Sequence, residues 1–281
     1  MAREQRRQAL ILLSQSADLW SHAGPALGSA LSDPDSDVRR TACELLLQMR
    51  PVLTITDFCA QTLRTAARSS DPVVRKAAIS ALCFHHVARA DDFSTWSNDP
   101  DPEVRCETAV ALGHYGYLDR LARLAGDSDA RVRRTVATVI GRTRMTAGSD
   151  LLADLAADQE PTVRAAALSG MARTGVPPVA RQLVVVAVRS PWWQVRAAAA
   201  EALSADDAAV AIPALSFAAK DDVLEVRRVA VRAIATRFTR FDAGRAALVE
   251  ALKDGDQEVR AYARHGLSAE NSVTRISPQE A

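Results

Sequence analysis

The chain has 281 residues, of which 48% are apolar and only 5% aromatic, so helices rich in alanine, leucine and arginine are expected rather than sheets. The 35 basic and 34 acidic residues leave a net charge of +1, which gives no global basic field to draw the protein onto nucleic acid or an anionic membrane. No apolar run approaches the roughly 20 residues that are needed to cross a bilayer.

The predicted elements begin with an amphipathic helix over residues 3–14, inside an N-terminal capping segment of residues 1–16. Arginines before a short apolar stretch are also typical of a signal peptide, but Gln8 and Ser14 bound the run and no clean cleavage site follows. The four cysteines form no C-x-x-C pair and have no histidines at zinc-ligand spacing, so neither disulfides nor a metal are expected. These features favour a cytoplasmic location. The cysteines are Cys43, Cys59, Cys83 and Cys106.

One unit recurs along the rest of the chain: an acidic turn, a Val-Arg pair, a small residue four positions after the valine and a large aliphatic residue eight positions after it. In a helix these three apolar positions lie on one face and form a core stripe. Successive units are about 30 residues apart, a spacing that fits a two-helix hairpin. The sequence therefore predicts eight repeats. Their Val-Arg pairs are Val38-Arg39, Val74-Arg75, Val104-Arg105, Val132-Arg133, Val163-Arg164, Val195-Arg196, Val226-Arg227 and Val259-Arg260.

A first helix is predicted before each Val-Arg helix, and the third of these is short and polar. A longer turn is expected from Met49 to Thr56, and the last residues, 269–281, are expected to be a disordered tail. Residues 1–268 would then form a single repeat domain. The predicted first helices cover about 17–31, 53–67, 88–96, 117–125, 149–157, 177–189, 207–219 and 242–252.

The acids of each turn have three expected roles. They can cap the Val-Arg helix, complement its dipole, and pair with the arginine one turn inside that helix.

This D-P-D-x-x-V-R-x-x-A-x-x-x-L pattern resembles the HEAT-repeat superfamily, specifically the short bacterial HEAT-like repeats also found in phycobilisome lyase subunits, over roughly residues 15–268. The resemblance implies an all-α fold, an α-solenoid of about eight two-helix repeats whose second helices line the concave face. It also implies that acids and arginines form a ladder along the stack. The implied ladder arginines are Arg39, Arg75, Arg105, Arg133, Arg164, Arg227 and Arg260.

Catalytic motifs are missing from the sequence. It contains no H-E-x-x-H, G-x-S-x-G, phosphate loop or dinucleotide fingerprint, and the adjacent His85 and His86 would point in different directions. Deoxyhypusine hydroxylases, which are HEAT-like, use His-Glu pairs that are absent here. HEAT-like alkylpurine DNA glycosylases need reactive or aromatic groups where the central second helices offer alanines. We therefore expect that the protein is not an enzyme, has no catalytic residues and binds no metal or cofactor. These alanines are Ala165, Ala166, Ala197 and Ala198.

The sixth repeat breaks the pattern, because the sequence SPWWQ replaces its acidic turn. Trp192 and Trp193 are suited to anchoring a partner, and Arg196 is expected to be free because its own repeat lacks the acid. The alternative is that one tryptophan fills space beside the small Ala167 and Gly170 of the preceding repeat.

A second departure lies near the C-terminus. Arg228 and Arg232 are one turn apart on the seventh second helix, with Arg264 and His265 nearby in sequence, and this set could receive an acidic peptide or a phosphate. The alternative is a solvated charged face. Its balancing acids would be Asp221, Asp222, Glu225 and Glu258.

These features together predict a protein that binds other macromolecules. The favoured hypothesis is a monomeric, cytoplasmic, bacterial adaptor or assembly factor that binds another protein through the concave groove and the repeat-six turn, without specific nucleic acid or membrane binding. Two alternatives remain: a nucleic-acid binder related to the HEAT-like glycosylases, and a non-catalytic subunit of a lyase-type complex. The predicted partner-binding residues are Trp192, Trp193, Arg196, Arg228, Arg232, Arg264 and His265.

Overall fold

The computed structural model describes residues 2–16, 18 and 20–268. This part of the chain contains seventeen α-helices and no strand, which confirms the all-helical prediction. The tail predicted at 269–281 lies outside the described residues. The chain divides into two compact units, which meet in sequence at Leu124 and Ala125 and are described separately below.

The first unit starts with the predicted N-terminal helix, which packs on the helix pair that follows it. Later first and second helices alternate as the repeats predict, and a short 3-10 turn fills the longer connection after Met49. The third first helix is the shortest, as its polar sequence indicates. The helices are α1 (Arg3–Gln15), α2 (Trp20–Ala30), α3 (Ser36–Met49), α4 (Asp57–Ala66), α5 (Pro72–Phe84), α6 (Asp92–Trp96), α7 (Pro102–His114) and α8 (Leu118–Leu124).

The second unit continues the alternation of first and second helices. Its second helices α9, α11, α13, α15 and α17 each pack on the next, and the first helices between them contact one another less extensively. This unit is therefore a layered stack in which the second helices form one continuous face. Its helices are α9 (Ala130–Arg142), α10 (Ser149–Ala156), α11 (Pro161–Thr174), α12 (Arg181–Ala187), α13 (Trp193–Leu203), α14 (Ala208–Ala218), α15 (Leu224–Arg237), α16 (Asp242–Ala251) and α17 (Gln257–Ser268).

The predicted apolar stripe forms the core of each stack. In α11, for example, Val163, Ala167 and Met171 are completely buried. Small residues let the second helices approach closely: a Cβ at Gly141 of α9 would lie 2.6 Å from the Cα of Gly170 in α11. The spacing of these helices is thus set by glycine and alanine rather than by large side chains.

Aspartates of the turns cap α3, α5, α7 and α9, as predicted, whereas the N-cap residues of α11, α13 and α15 make no side-chain capping bond. Asp35 is the N-cap of α3 and accepts hydrogen bonds from the backbone N–H groups of Asp37 and Val38, and Asp101 does the same for α7. Each cap satisfies donors that the first turn of a helix leaves unpaired.

The arginine of each Val-Arg pair holds its own turn through backbone carbonyls, not through the turn's acid. Arg133 donates from Nη1 to the carbonyls of Asp127 and Ser128, at 2.8 and 3.2 Å. Its Nε and Nη2 donate to both carboxylate oxygens of Asp158, at 2.6 and 2.8 Å, and Asp158 belongs to the following repeat. The expectation of pairing within one repeat is therefore wrong. The geometric reason is that a guanidinium one turn inside its helix reaches the turn stacked beside it.

We call these arginine–aspartate pairs between successive repeats the ladder. In the first unit Arg75 binds both carboxylate oxygens of Asp99 in this way, whereas Arg39 donates from Nε and Nη2 to one oxygen of Asp71. The N-terminal helix α1 takes part too, because Arg6 donates from Nε and Nη2 to Asp33 at 2.8 and 2.9 Å. Such two-point bonds between a guanidinium and a carboxylate are stronger and more directional than single ones.

Because the ladder depends on ionised aspartates, we expect the free energy of unfolding to fall at acid pH. The hydrogen bond from Arg133 holds the pKa of Asp158 below its usual value, and Arg6 does the same to Asp33. A carboxylate with a lowered folded-state pKa stabilises the fold above its unfolded pKa of about 3.9, and that contribution is lost as the pH falls toward the folded value. We expect the urea midpoint, followed by far-ultraviolet circular dichroism, to drop between about pH 5 and pH 3.

A matched pair of variants isolates this effect. Asp158→Asn should reduce the dependence of the urea midpoint on pH, whereas Asp154→Asn should not, since Asp154 is exposed on α10 and makes no ion pair in the described part of the chain. An equal effect of both variants would contradict the assignment to the ladder.

Candidate functional site

The turn between α12 and α13 places both tryptophans at the surface. Trp192 is the N-cap of α13, with no side-chain capping bond, and Trp193 is the first residue of the helix. Their exposed fractions are 52% and 41%. The space next to Gly170 is taken by the Leu152 side chain, by the carbonyl of Ala137 and by α9. The alternative in which a tryptophan fills that space is therefore wrong.

Beside Trp193 lies a shallow groove on the second-helix face, formed by α11, α13 and α15 and enclosing about 360 Å³. Small side chains form its floor, because Ala165, Ala166, Ala197 and Ala198 occupy positions where larger residues would fill it. Its rim brings together Trp193, Glu201 and Arg232, which are an aromatic, an acidic and a basic side chain. Ser169 donates to the Glu201 carboxylate at 3.1 Å and so orients it.

Arg232 is the available cation of this groove. Its side chain is exposed and makes no salt bridge in the described part of the chain. Arg228, predicted with it, is instead engaged: its Nε and Nη2 donate to Asp256 at 3.1 and 2.9 Å, and Nη1 lies 3.2 Å from Glu258. Hydrogen bonds, first from Arg228 and then from the backbone of Val259, lower the pKa of Asp256 to about 2. For Arg228 the alternative of a balanced charged face describes the structure better.

Arg196 is not free. Its Nε and Nη2 donate to Asp221 of the next repeat at 2.6 and 2.8 Å, Nη2 also reaches Asp222 at 3.0 Å, and Nη1 donates to the carbonyl of Ser190. Burial raises the pKa of Asp221, but hydrogen bonds from Arg196 and from the backbone of Val223 outweigh it and leave the pKa lowered. The expectation failed because the partner of Arg196 lies one repeat ahead, so Arg196 is a ladder residue.

The acid missing from repeat six affects the preceding arginine. Arg164 donates from Nη1 to the carbonyls of Asp158 and Gln159, at 2.7 and 2.8 Å, but no carboxylate in the described residues pairs with it. The sequence contained the signal for this, since Ser190 stands where the other turns of this unit carry an aspartate. Ser190 affects Arg164, not Arg196, because the ladder connects each arginine to the turn of the following repeat.

Arg264 and His265 are exposed on α17. Neither lines the groove that contains Trp193 and Arg232. The structure thus brings together Trp193 and Arg232 from the predicted set and adds Glu201. Trp192 lies at the adjoining turn, and Arg164 directly precedes Ala165 of the groove.

Burial governs the chemistry of the cysteines. It raises the pKa of Cys43 and of Cys83 to about 12, so both thiols are protonated at neutral pH and are poor nucleophiles. Within residues 2–16, 18 and 20–268, no group of three or more His, Cys, Asp or Glu side chains is arranged to hold a metal ion. None of the helices in that part of the chain is long and apolar enough to cross a membrane.

The stacked helix pairs and the ladder define an α-solenoid protein of two-helix repeats. The sequence model of the family described as HEAT repeats matches residues 24–92, 90–172 and 149–235. The chain therefore belongs to the HEAT-repeat family, which confirms the predicted fold class. HEAT repeats generally mediate protein–protein interactions and are typically non-catalytic. A comparison with curated proteins finds no significant match.

Solved structures similar to this chain share its fold at low sequence identity. The X-ray structure of YibA from Escherichia coli has a TM-score of 0.65 at 17% identity, covering 96% of this chain and 98% of that one. A chain in a homology model of the full-length AP-3 complex has a TM-score of 0.72 at 15% identity, covering 98% of this chain and 56% of that one. An engineered protein has a TM-score of 0.52 at 20% identity, covering 93% and 84%.

Proposed function

We propose that this protein is a non-catalytic interaction scaffold, an adaptor or assembly factor that binds a protein partner at the repeat-six turn and the groove beside it. The observation that carries the proposal is the exposure of Trp192 and Trp193 next to that groove. Exposed tryptophans forfeit the gain of burying a large apolar surface, and interfaces are enriched in tryptophan and arginine because these residues dominate binding energy.

The composition of the groove supports a protein partner over nucleic acid. Its rim carries one cation, Arg232, and one anion, Glu201, and the whole chain has a net charge of only +1. A nucleic-acid site neutralises several phosphates at once, which needs several uncompensated cations. We therefore expect no duplex DNA binding tighter than about micromolar at physiological salt, the level of non-specific binders.

The remaining parts of the proposal concern the whole chain. We propose that residues 1–268 act as a single repeat domain capped by residues 1–16, and that the protein is a cytoplasmic, bacterial monomer. Four free cysteines, of which three are buried, support a reducing compartment.

Changing Trp192 and Trp193 together to alanine is expected to weaken peptide binding by at least about tenfold, or roughly 1.4 kcal/mol. The probe is a set of blocked synthetic dodecapeptides, selected from a random phage-displayed library on the full chain. The melting temperature should stay nearly unchanged, because about half of each tryptophan is exposed. Binding is measured by calorimetry and melting by circular dichroism.

Phe58→Ala is the matched control, since Phe58 is a similarly exposed aromatic residue on α4 in the other unit. It should leave peptide binding unchanged. A large drop in melting temperature of the double tryptophan variant, with binding retained, would show that the tryptophans are core residues and would refute the proposed site.

A further inference from the structure

The ladder has an interior gap at Arg164. In the second unit Arg133, Arg196 and Arg227 each donate from Nε and Nη2 to an aspartate of the following repeat, at 2.6 to 3.3 Å. For Arg164 the described residues provide no such carboxylate. Arg260 has none either, but it lies on α17, the last described helix, whereas Arg164 is followed by three further repeats.

The repeat-six turn keeps the ladder geometry and lacks only the acid. The Ser190 hydroxyl accepts a hydrogen bond from the backbone N–H of Trp192 at 3.3 Å, as the Asp221 carboxylate accepts one from Val223 at 2.9 Å. The Ser190 carbonyl also accepts from Arg196 Nη1 at 2.9 Å, which is the bond that every ladder turn makes. Position 190 is therefore a ladder position with a hydroxyl in place of a carboxylate.

The first unit shows how the same loss is repaired elsewhere. Ser69 occupies the equivalent ladder position, six residues before Arg75, and there Arg39 binds the N-cap residue Asp71 instead, at 3.3 and 3.4 Å. In repeat six the N-cap residue is Trp192, whose side chain contains no oxygen. The position equivalent to Asp222, which also reaches Arg196, is Pro191 here, so this turn offers Arg164 no carboxylate at any of the three positions.

We infer that Arg164 binds an aspartate or glutamate side chain of the protein partner, which takes the place of the missing ladder acid, while Trp192 and Trp193 contact an apolar residue beside it. This inference rests on the proposed function. Nη1 of Arg164 is held by two carbonyls, which leaves one edge with two N–H donors. That edge matches the two oxygens of one carboxylate.

The position of Arg164 connects this edge to the candidate site. Ser190 and Trp192 belong to one turn, and Ala165, the residue after Arg164, lines the groove together with Trp193. Arg164 is half-buried, so a carboxylate bound there would be less screened than at a fully exposed arginine. A carboxylate is favoured over a phosphate because a single guanidinium edge compensates one negative charge, as it does at Arg133 and Arg227.

Ser190→Asp fills the gap from within the protein and gives the first test. It should raise the melting temperature by roughly 2 °C or more, because it completes a ladder pair. Ser69→Asp is the matched control: Arg39 already binds Asp71, so no rise is expected. If Ser190→Asp does not raise the melting temperature, Arg164 has no open edge and the inference is wrong.

Binding of the selected dodecapeptides gives the second test. We expect them to contain Asp or Glu near a large apolar residue, and we expect Arg164→Gln, Ser190→Asp, or Asp→Asn in the peptide each to weaken binding at least tenfold. Ser69→Asp should leave binding unchanged.

Three outcomes would contradict these proposals. Peptides that need Trp193 and Arg232, but bind equally well to Arg164→Gln and Ser190→Asp, would overturn the inference and leave the proposed function standing. Failure to select any peptide, or binding indifferent to Trp193 and Arg232, would overturn both. Tighter binding by more than tenfold after replacing the peptide's acid with phosphoserine would overturn the carboxylate assignment.

Discussion

Arg196→Met is expected to lower the free energy of unfolding by about 3 kcal/mol, because it leaves the carboxylate of Asp221 unpaired in a mostly buried position. The side chains of the pair are 12% and 5% exposed, and they are joined by two hydrogen bonds. Methionine preserves much of the length of arginine, so the lost ion pair and hydrogen bonds account for most of the change. The measurement is urea unfolding of the full chain at neutral pH.

Arg164→Met is the matched control for this prediction. Both arginines donate from Nη1 to two turn carbonyls, so both variants lose those bonds, but only Arg196 binds a carboxylate. We expect Arg164→Met to cost about 1 kcal/mol, the usual net value of lost hydrogen bonds. Equal losses for the two variants would contradict the ladder gap.

Gly141→Leu is expected to destabilise the second unit by about 3 kcal/mol, at the upper end of the cost of overpacking a core. Even a Cβ at Gly141 would meet the Cα of Gly170 at 2.6 Å, and backbone of a neighbouring helix cannot move aside as a flexible side chain can. Leucine would have to push α9 and α11 apart where Gly141 and Gly170 bring their backbones close together. Urea unfolding again gives the measurement.

Thr138→Leu serves as the control for crowding. Thr138 is exposed on the same helix, so leucine there should change the unfolding free energy by no more than about 0.5 kcal/mol. A stable Gly141→Leu variant would show that α9 and α11 are not held at the observed distance.

Local patterns in the sequence predicted most of the fold. The stripe of Val163, Ala167 and Met171 is buried as its helical spacing indicated, and the first helices fall within the predicted ranges to within a few residues. Such features depend on the period of apolar residues and on turn chemistry, both of which are contained in a short stretch of chain.

The ladder partners could not be read in the same way. Whether Arg196 pairs with its own turn or with Asp221 depends on which turn stacks beside its guanidinium, and this is a property of tertiary packing. The unusual turn of repeat six is visible in the sequence, but its missing acid affects Arg164, and not Arg196 as the sequence had suggested. The predicted pairing of Arg228 with Arg232 failed for the same reason, because spacing on one helix does not reveal the acids of α17 that engage Arg228.

The one-repeat offset of the ladder gives each stack a head and a tail. A repeat offers an acid to the repeat before it and an arginine to the repeat after it, so the units join in a single direction, as monomers do in a polymer. Deleting residues 221–253 would present Asp254 to Arg196 in place of Asp221. A deletion half a repeat longer or shorter would leave one ladder charge without its partner. The chain can thus be shortened or extended only in whole modules. In the leading repeat, whose acid Asp33 has no repeat before it, Arg6 of α1 supplies the arginine partner.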